Sequence, residues 1–274
     1  MTSGNLLDMV TLGEIFDYNS CLKVTNNHDE KVFDKALALL SKLNDEEKLL
    51  VYELFEEFLV ITDYEPYAKM IARNLRSRYG KNDKIALVPI TDDKGGVKSS
   101  HSMIYEVQRF IEFAPLKELL RVDSYKNLLE NHEQYQIILI DDFIGSGSQA
   151  RKIIRKMQAS GIDIARKVEI QVVCIQEIAL HRIRNLCPSV IFYNIRRRAL
   201  TDNFAIKSFD RVRAARIYSA IESSLSMRPY YKFGYSRTES LVSMKRTPNN
   251  TLPIFWCMKA KGGSEWPAIF PRKE

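Results

Sequence analysis

The chain has 274 residues, of which 45% are hydrophobic and 27% charged, and its formal net charge at pH 7 is +7. This length can bury a sizeable core and allows one domain with an appendage or two small domains. No apolar run approaches the length of a membrane span, and the acidic amino terminus does not resemble a secretory leader, so we expect a cytoplasmic protein.

The charge is distributed unevenly along the chain. Residues 1–66 carry 14 acidic and 5 basic side chains, which leaves 20 acidic and 36 basic side chains for residues 67–274. A basic excess of that size suits phosphate-bearing ligands, either small nucleotides or nucleic acid. Solvated helix faces would carry the same residues, so charge alone leaves the ligand class open.

The amino-terminal part has a helical pattern. Apolar residues recur every three or four positions in VFDKALALLSKL and EEKLLVYELFEEFLVI, and PYAKMIARNLRSRYG continues this pattern to Gly80. We predict a helical element over residues 1–79 that acts as a cap or docks a protein partner.

From residue 80 onward, apolar strand signals alternate with helical patterns. The predicted strands are KIALVPI, QIILI, VEIQVVCI and SVIFYNI; the predicted helices are MIYEVQRFIEF, ARKIIRKMQAS, IALHRIRNL and FDRVRAARIYSAIESSL. A less regular helical stretch extends to residue 131. This alternation predicts an α/β fold over residues 80–228, a Rossmann-like parallel sheet with flanking helices.

Residues 229–274 differ from the rest of the chain. Five of the nine prolines and both tryptophans lie there, and the segment has little periodicity. Its aromatic residues argue against disorder. We predict a hood or flap over a site.

The stretch IILIDDFIGSGSQ combines an apolar strand, two acids and a glycine-serine loop that opens into a helix. Ligands of open parallel sheets bind at the carboxyl ends of strands, and helix amino termini favour phosphate. Asp141 and Asp142 are therefore candidates for sugar hydroxyls or for Mg²⁺ held through water, and Gly145, Ser146, Gly147 and Ser148 for a phosphate. The Walker A and GxGxxG patterns are not matched.

This motif resembles the signature of type I phosphoribosyltransferases. The resemblance implies that Asp141 and Asp142 bind the ribose of phosphoribosyl pyrophosphate (PRPP), and that Gly145 to Ser148 bind its 5-phosphate. The loop DKGGVKSSHS is similar in position to the pyrophosphate loop of those enzymes, which makes Lys98, Ser99 and Ser100 its candidate residues. The chain departs from the family at Gln149, where Thr or Ser is usual, and in its helical pattern over 103–135, where the family has a mobile hairpin.

The tail supports a more specific resemblance. GYSRTES, TPNNTLPIFW and WPAIFPR are similar to the end of a divergent group of phosphoribosyltransferase-like proteins found with bacterial antiviral and conflict systems, some beside retrons. In the tail, Asn249, Asn250 and Trp256 are candidates for contacts to a base. Turn positions for the asparagines and a core position for the tryptophan are equally compatible with the sequence. Residues 1–79 lie outside the resemblance.

Three functions fit these observations. The first is a defence effector that makes or breaks a glycosidic bond at a phosphoribosyl centre, with Asp141, Asp142 and Lys98 as catalytic residues and Mg²⁺ as cofactor. The second is a non-catalytic module that senses PRPP or a nucleotide and regulates a partner; the missing hairpin favours it. The third is a nucleic-acid-binding protein whose loop holds a backbone phosphate.

Overall fold

The structure, a computed structural model, describes residues 3–28, 31–91, 99–111, 116–128, 132–202 and 205–272. The helices within these residues are α1 Ser3–Tyr18, α2 Ser20–His28, α3 Lys31–Leu40, α4 Asp45–Glu56, α5 Glu65–Arg78, α6 Ser99–Ile111, α7 Ser148–Ala159, α8 Ile164–Lys167, α9 Glu177–Arg184 and α10 Arg211–Glu222. The strands are β1 Leu59–Val60, β2 Lys84–Pro89, β3 Glu118–Arg121, β4 Gln136–Ile144, β5 Val168–Gln176, β6 Val190–Arg196 and β7 Val242–Ser243.

The chain divides into two compact units. One unit combines Met1–Thr62 with Arg197–Glu274, and the other is Asp63–Arg196. These boundaries differ from the predicted ones, because α5 packs with α6 and the tail shares a hydrophobic core with the amino-terminal helices.

The unit Asp63–Arg196 is built on a five-stranded, all-parallel sheet in the order β3-β2-β4-β5-β6. Strand β5 is buried along its whole length, as expected for a parallel strand covered on both faces. The predicted α/β fold with a parallel sheet and flanking helices is confirmed.

Side chains of β4 alternate between the two faces of the sheet. Ile137 and Leu139 belong to a core cluster with residues of α7 and α9, whereas Ile138 and Ile140 are buried outside that cluster. On the opposite face, α6 packs on β2 and β4 and against α5. The same alternation sends the two aspartates that follow to different faces.

The helical pattern predicted up to residue 131 is wrong over Glu118–Arg121, which forms β3 and pairs in parallel with β2. β3 lies at the edge of the sheet, and its Leu119 and Leu120 are both partly exposed. An edge strand of this kind has no alternation of buried and exposed residues, so it gives no two-residue period to detect.

The other unit has its own hydrophobic core, formed by both ends of the chain. Phe55 of α4 contacts Phe255 of the tail with ring centroids 5.5 Å apart, and Phe58 stacks on Phe270 at 4.9 Å. β1 pairs in parallel with β7, which again joins the two chain segments. The tail is therefore part of the core of this unit.

A loop of the tail has an unusual backbone. Four residues other than glycine have positive φ: Phe233, Ser236, Arg237 and Glu239. The buried Glu239 carboxylate stabilises this loop by accepting hydrogen bonds from the N–H groups of Leu200 and Thr201 and from the Thr201 hydroxyl.

Within the described residues, none of the helices has the length and apolar composition that a membrane crossing requires.

Candidate functional site

The carboxyl end of β4 lies at the topological switch of the sheet. β3 and β4 flank β2 on opposite sides, so the strand order reverses between them. In open α/β sheets, ligands bind outside the carboxyl ends of the strands at such a point. Asp141, Asp142 and the Gly145–Ser148 loop all lie at this edge.

Asp142 is held in one orientation by three hydrogen bonds. The buried Tyr64 hydroxyl donates to Oδ2 at 2.5 Å, the Ser99 hydroxyl donates to Oδ1 at 2.8 Å, and the Phe143 N–H donates to Oδ1 at 3.0 Å. Tyr64 and Ser99 stand at the starts of α5 and α6. The two helices on one face of the sheet thus converge on this carboxylate.

Asp141 is buried and accepts the Asp142 N–H on Oδ1 at 3.0 Å. Its burial, and next the charge of Asp142, raise the pKa of Asp141 well above the usual value for aspartate. Asp141 therefore keeps a proton more readily than an exposed aspartate, and in that form it can donate a hydrogen bond to a hydroxyl oxygen.

The loop after β4 opens onto the amino terminus of α7. Gly147 is the N-cap, with φ at 74°, and as a glycine it has no side chain to cap the helix; the Ser148 N–H donates to the Ser146 hydroxyl oxygen at 3.3 Å. The first N–H groups of an α-helix have no partner in the preceding turn and carry the positive end of the helix dipole. A phosphate would satisfy them.

Hydrogen bonds fix the shape of the loop. The Ser146 hydroxyl donates to the Ser148 hydroxyl at 3.0 Å, and Nη1 of Arg182 in α9 donates to the Ser146 carbonyl at 3.1 Å. A methyl group at Gly147 would come within 3.3 Å of the Ala179 Cβ, so the loop packs closely on α9. The loop is preorganised before any ligand binds.

The predicted pyrophosphate loop lies partly outside the described residues. Lys98 lies outside the described residues, and Ser99 and Ser100 form the first turn of α6. Ser99 bonds Asp142, whereas the buried Ser100 Oγ has no hydrogen-bond partner among the described residues. A pyrophosphate role for Lys98, Ser99 and Ser100 stays a prediction.

The predicted base-contact residues take part in the structure of the tail. The Asn250 side-chain amide donates to the Thr238 hydroxyl and to the Tyr235 carbonyl, and the Asn249 carbonyl accepts the Tyr235 N–H. Trp256 is 1% exposed and its indole N–H donates to the Thr251 carbonyl at 2.8 Å. Base contact by Asn249, Asn250 or Trp256 stays a prediction.

Sequence reasoning missed three residues near the carboxyl edge: Tyr64, Arg182 and Gln176. The only sequence signal at Tyr64 is that it precedes Glu65 and Pro66, which begin α5. No feature of the neighbouring sequence connects Tyr64 with Asp142. Gln176 ends β5, is fully buried, and has no hydrogen-bond partner for either side-chain polar atom among the described residues. Such a group is costly unless something satisfies it.

The aspartate pair suits water-mediated binding of Mg²⁺. No group of three or more His, Cys, Asp or Glu side chains placed to hold a metal occurs within the described ranges. Mg²⁺, however, keeps several waters and is bound through one or two carboxylates together with substrate phosphates. Because both oxygens of Asp142 already accept hydrogen bonds, water-mediated contact fits better than direct ligation.

Comparison with known proteins gave matches of two kinds. One solved structure that the chain resembles is a hypoxanthine phosphoribosyltransferase from Staphylococcus aureus, with 13% sequence identity over 51% of this chain and 77% of that chain and a TM-score of 0.32. A second is a hypoxanthine-guanine phosphoribosyltransferase from Schistosoma mansoni in complex with IMP, with 16% identity over 49% of this chain and 64% of that chain and a TM-score of 0.31. A third is a hypothetical protein from Neisseria gonorrhoeae with bound ppGpp, with 12% identity over 60% of this chain and 97% of that chain and a TM-score of 0.33. No curated protein sequence matches the chain.

The second kind of match is to a protein-family model. The model named PRTase-CE matches residues 24–272, which include every strand of the parallel sheet, the aspartate pair, the loop after β4 and the tail. The chain belongs to the PRTase-CE family, a phosphoribosyltransferase-like family.

Proposed function

We propose that this protein binds PRPP or another ribose-phosphate nucleotide at the carboxyl end of β4, and makes or breaks a glycosidic bond at the phosphoribosyl centre. The observation that carries the proposal is the pairing of two buried aspartates with a helix amino terminus whose N-cap is a glycine, at the switch point of a parallel sheet. The two aspartates suit the hydroxyl groups of a sugar, and the amino terminus of α7 suits a phosphate.

Each part has a separate task in this proposal. Asp142, oriented by Tyr64 and Ser99, accepts hydrogen bonds from the ribose hydroxyls. Asp141 exchanges hydrogen bonds with the same hydroxyls, and its raised pKa in the buried site favours the protonated form that can donate. Gly145, Ser146, Gly147 and Ser148 hold the 5-phosphate.

The chemistry is a displacement at the anomeric carbon through an oxocarbenium-like transition state. Fixing the ribose at both ends lowers the entropic cost of reaching that state. Lys98 would neutralise the leaving pyrophosphate, and Mg²⁺, held through water near Asp141 and Asp142, would supply further positive charge there.

A second candidate function is a non-catalytic sensor of PRPP or a nucleotide. Its support is that Asp142 already has two hydroxyl donors and a backbone donor, so the site is folded in a binding-ready form. In this version ligand binding would regulate a protein partner, which docks on the acidic amino-terminal helices.

We extend the proposal to a role as a cytoplasmic effector in bacterial antiviral defence. The similarity of the tail motifs to proteins of conflict systems supports this role. A test is phage challenge of cells that carry the protein in its native gene context, with wild type compared against Asp142→Asn.

Calorimetric titration tests ligand binding. We expect PRPP with Mg²⁺ to bind wild type, and Asp142→Asn to weaken binding by about tenfold or more, the loss of roughly 1.4 kcal/mol. Glu133→Gln is a matched control, because it removes a negative charge from an exposed residue of the same unit. Pyrophosphate release or a new glycoside would then identify an enzyme, and tight binding without turnover would identify a sensor.

The binding proposal fails if wild type binds none of PRPP, ribose 5-phosphate and the common nucleotides with or without Mg²⁺. It also fails if Asp142→Asn and Glu133→Gln bind these ligands equally well.

A further inference from the structure

A basic groove runs along α7, starting at the proposed phosphate loop. Its volume is about 390 Å³. Residues spaced three and four apart on one helix face line it: Ser148, Arg151, Lys152, Arg155, Lys156 and Ala159. The opposite face of α7 carries the apolar residues that pack on the sheet, so its packing fixes the direction of the basic face.

Three basic side chains of this groove lack the acidic partners that other basic residues have among the described residues. Arg151, Lys152 and Arg155 form no ion pair with any carboxylate of the described residues, whereas Arg78, Lys84 and others do. The Nε atom of Arg151 is buried and has no hydrogen-bond partner there either. Like charges at adjacent turns of a helix repel each other. An anion in the groove would relieve that repulsion and satisfy the Arg151 Nε.

The groove and the phosphate loop are continuous, because Ser148 belongs to both. From Ser148 to Ala159 the helix advances about 16 Å at 1.5 Å per residue. One ribose 5-phosphate occupies only the beginning of that length. The remainder suits further phosphates attached to the first one.

The carboxylates at the aspartate end of the site are almost completely buried. Asp141 and Asp142 are 7% and 3% exposed. A ribose whose hydroxyls face these carboxylates therefore presents free 2′ and 3′ hydroxyls and does not continue in the 3′ direction. In the 5′ direction the chain can continue along α7.

We propose that the α7 groove binds the phosphate backbone of a single-stranded RNA whose 3′-terminal nucleotide occupies the ribose-phosphate site. This proposal rests on the proposed function, because it assumes that Gly145 to Ser148 hold the 5-phosphate of that nucleotide. It changes the substrate class from a free sugar phosphate to the 3′ end of an RNA strand, with the terminal glycosidic bond near the aspartate pair.

The test is fluorescence anisotropy with an RNA of about eight nucleotides, labelled at its 5′ end. We expect the double variant Arg151→Gln and Arg155→Gln to lower RNA affinity by about tenfold. The slope of the logarithm of the binding constant against the logarithm of the salt concentration should become shallower by roughly 0.7 per lost phosphate contact. Ribose 5-phosphate, which does not reach the groove, should keep its affinity within about twofold. The matched control is Arg166→Gln with Arg184→Gln, which removes two exposed arginines outside the groove and should change neither ligand by more than about twofold.

Two further RNA probes test the direction of the strand. An RNA with a 3′-phosphate should bind about tenfold more weakly than one with a 3′-hydroxyl, because the Asp142 carboxylate repels the added charge. Equal binding of the two overturns the assignment of the 3′ end.

Other outcomes separate the inference from the proposed function. If ribose 5-phosphate binds in an Asp142-dependent manner but the groove variant and its control bind RNA equally, the inference is overturned and the proposed function stands. If ADP-ribose, with only one phosphate beyond the ribose 5-phosphate, gains as much affinity as the RNA, the ligand is a small nucleotide and the inference is again overturned. If ribose 5-phosphate does not bind and Asp142→Asn has no effect on RNA, both fail.

Discussion

Two adjacent aspartates with different surroundings define the site at the residue scale. Asp142 is bonded by Tyr64 and Ser99 on the face of the sheet that carries α5 and α6, while Asp141 follows Leu139 on the alternate positions that face α7 and α9. The pKa of Asp141 is raised by its burial and by the Asp142 charge. A pair of carboxyl groups with different environments can divide hydrogen-bond acceptance and proton exchange between them.

The Tyr64 hydroxyl should contribute both to stability and to ligand binding. We expect Tyr64→Phe to cost about 1.5 to 3 kcal/mol of unfolding free energy, because a buried carboxylate oxygen loses its donor. PRPP affinity should fall as Asp142 loses its fixed orientation. Urea unfolding and calorimetric titration measure the two effects.

Tyr67→Phe is the control on the same helix, since its hydroxyl accepts a hydrogen bond from Asn194 and does not contact the aspartates. It should leave ligand affinity unchanged. Tighter PRPP binding by Tyr64→Phe would contradict the positioning role and would mean that the hydroxyl competes with the ligand for Asp142.

Asp141 should make the stability of the protein depend on pH. Because its pKa is raised in the folded state, that state keeps a proton that the unfolded chain releases above a pH of about 4. The stabilisation that the Asp141 carboxyl contributes is therefore present at low pH, and it is lost as pH rises above the pKa of this group in the unfolded chain. We expect the stability of Asp141→Asn relative to wild type to increase as pH rises above about 4, because asparagine has no proton to lose.

Urea unfolding at several pH values measures this gain. Asp163→Asn is the control, because Asp163 is an exposed N-cap and asparagine caps a helix equally well. Parallel pH profiles for wild type and Asp141→Asn would contradict the assignment of a raised pKa to Asp141.

At the scale of elements, the turn from β4 into α7 depends on Gly147. Its φ of 74° is in the left-handed region, and an added methyl group would meet Ala179 at 3.3 Å. We expect Gly147→Ala to cost about 1 to 2 kcal/mol of stability from backbone strain and to lose ribose 5-phosphate binding as the loop shifts away from α9. Thermal unfolding and calorimetry measure the two losses.

Gly161 provides the matched control for this loop. It has a φ of 86° and nothing within 4 Å of an added methyl group. Gly161→Ala should lose a similar amount of stability with no change in ligand affinity. Equal loss of affinity in both variants would mean that general destabilisation, and not loop geometry, governs binding.

The elements with strong local signals were predictable from the sequence. The buried strands β2, β4 and β5 and the partly exposed edge strand β6 have apolar runs between turn residues, and the aspartate pair and its loop lie in one contiguous stretch. Strand β3 was not predictable, because its four residues, ELLR, form neither a long apolar run nor an alternation of buried and exposed positions. The Tyr64 contact was not predictable either: 78 positions separate it from Asp142, and only the packing of α5 brings the two together.

At the scale of the whole molecule, each of the two units has a hydrophobic cluster of its own among the described residues. One cluster contains only residues of the Asp63–Arg196 unit, and the other contains only residues from the two ends of the chain. The tail therefore has a structural task, whatever the outcome for its predicted role as a hood over the site.

Deletion of residues 229–274 tests that structural task. It removes Phe255, Trp256 and Phe270 from the core that Phe55 and Phe58 share. Loss of one buried Phe or Trp side chain costs about 3 to 5 kcal/mol of unfolding free energy. The combined loss of three such side chains is therefore comparable with the total stability of a typical protein, roughly 5 to 15 kcal/mol. We expect hydrogen exchange to show lost protection of α4 in the truncated protein, with β4 and β5 still protected by the other core.

The control is Arg246→Ala, a substitution of an exposed residue in the tail, which should leave α4 and the two strands protected. A tail that served only as a removable flap would leave α4 protected after the deletion, and that result would contradict a shared core.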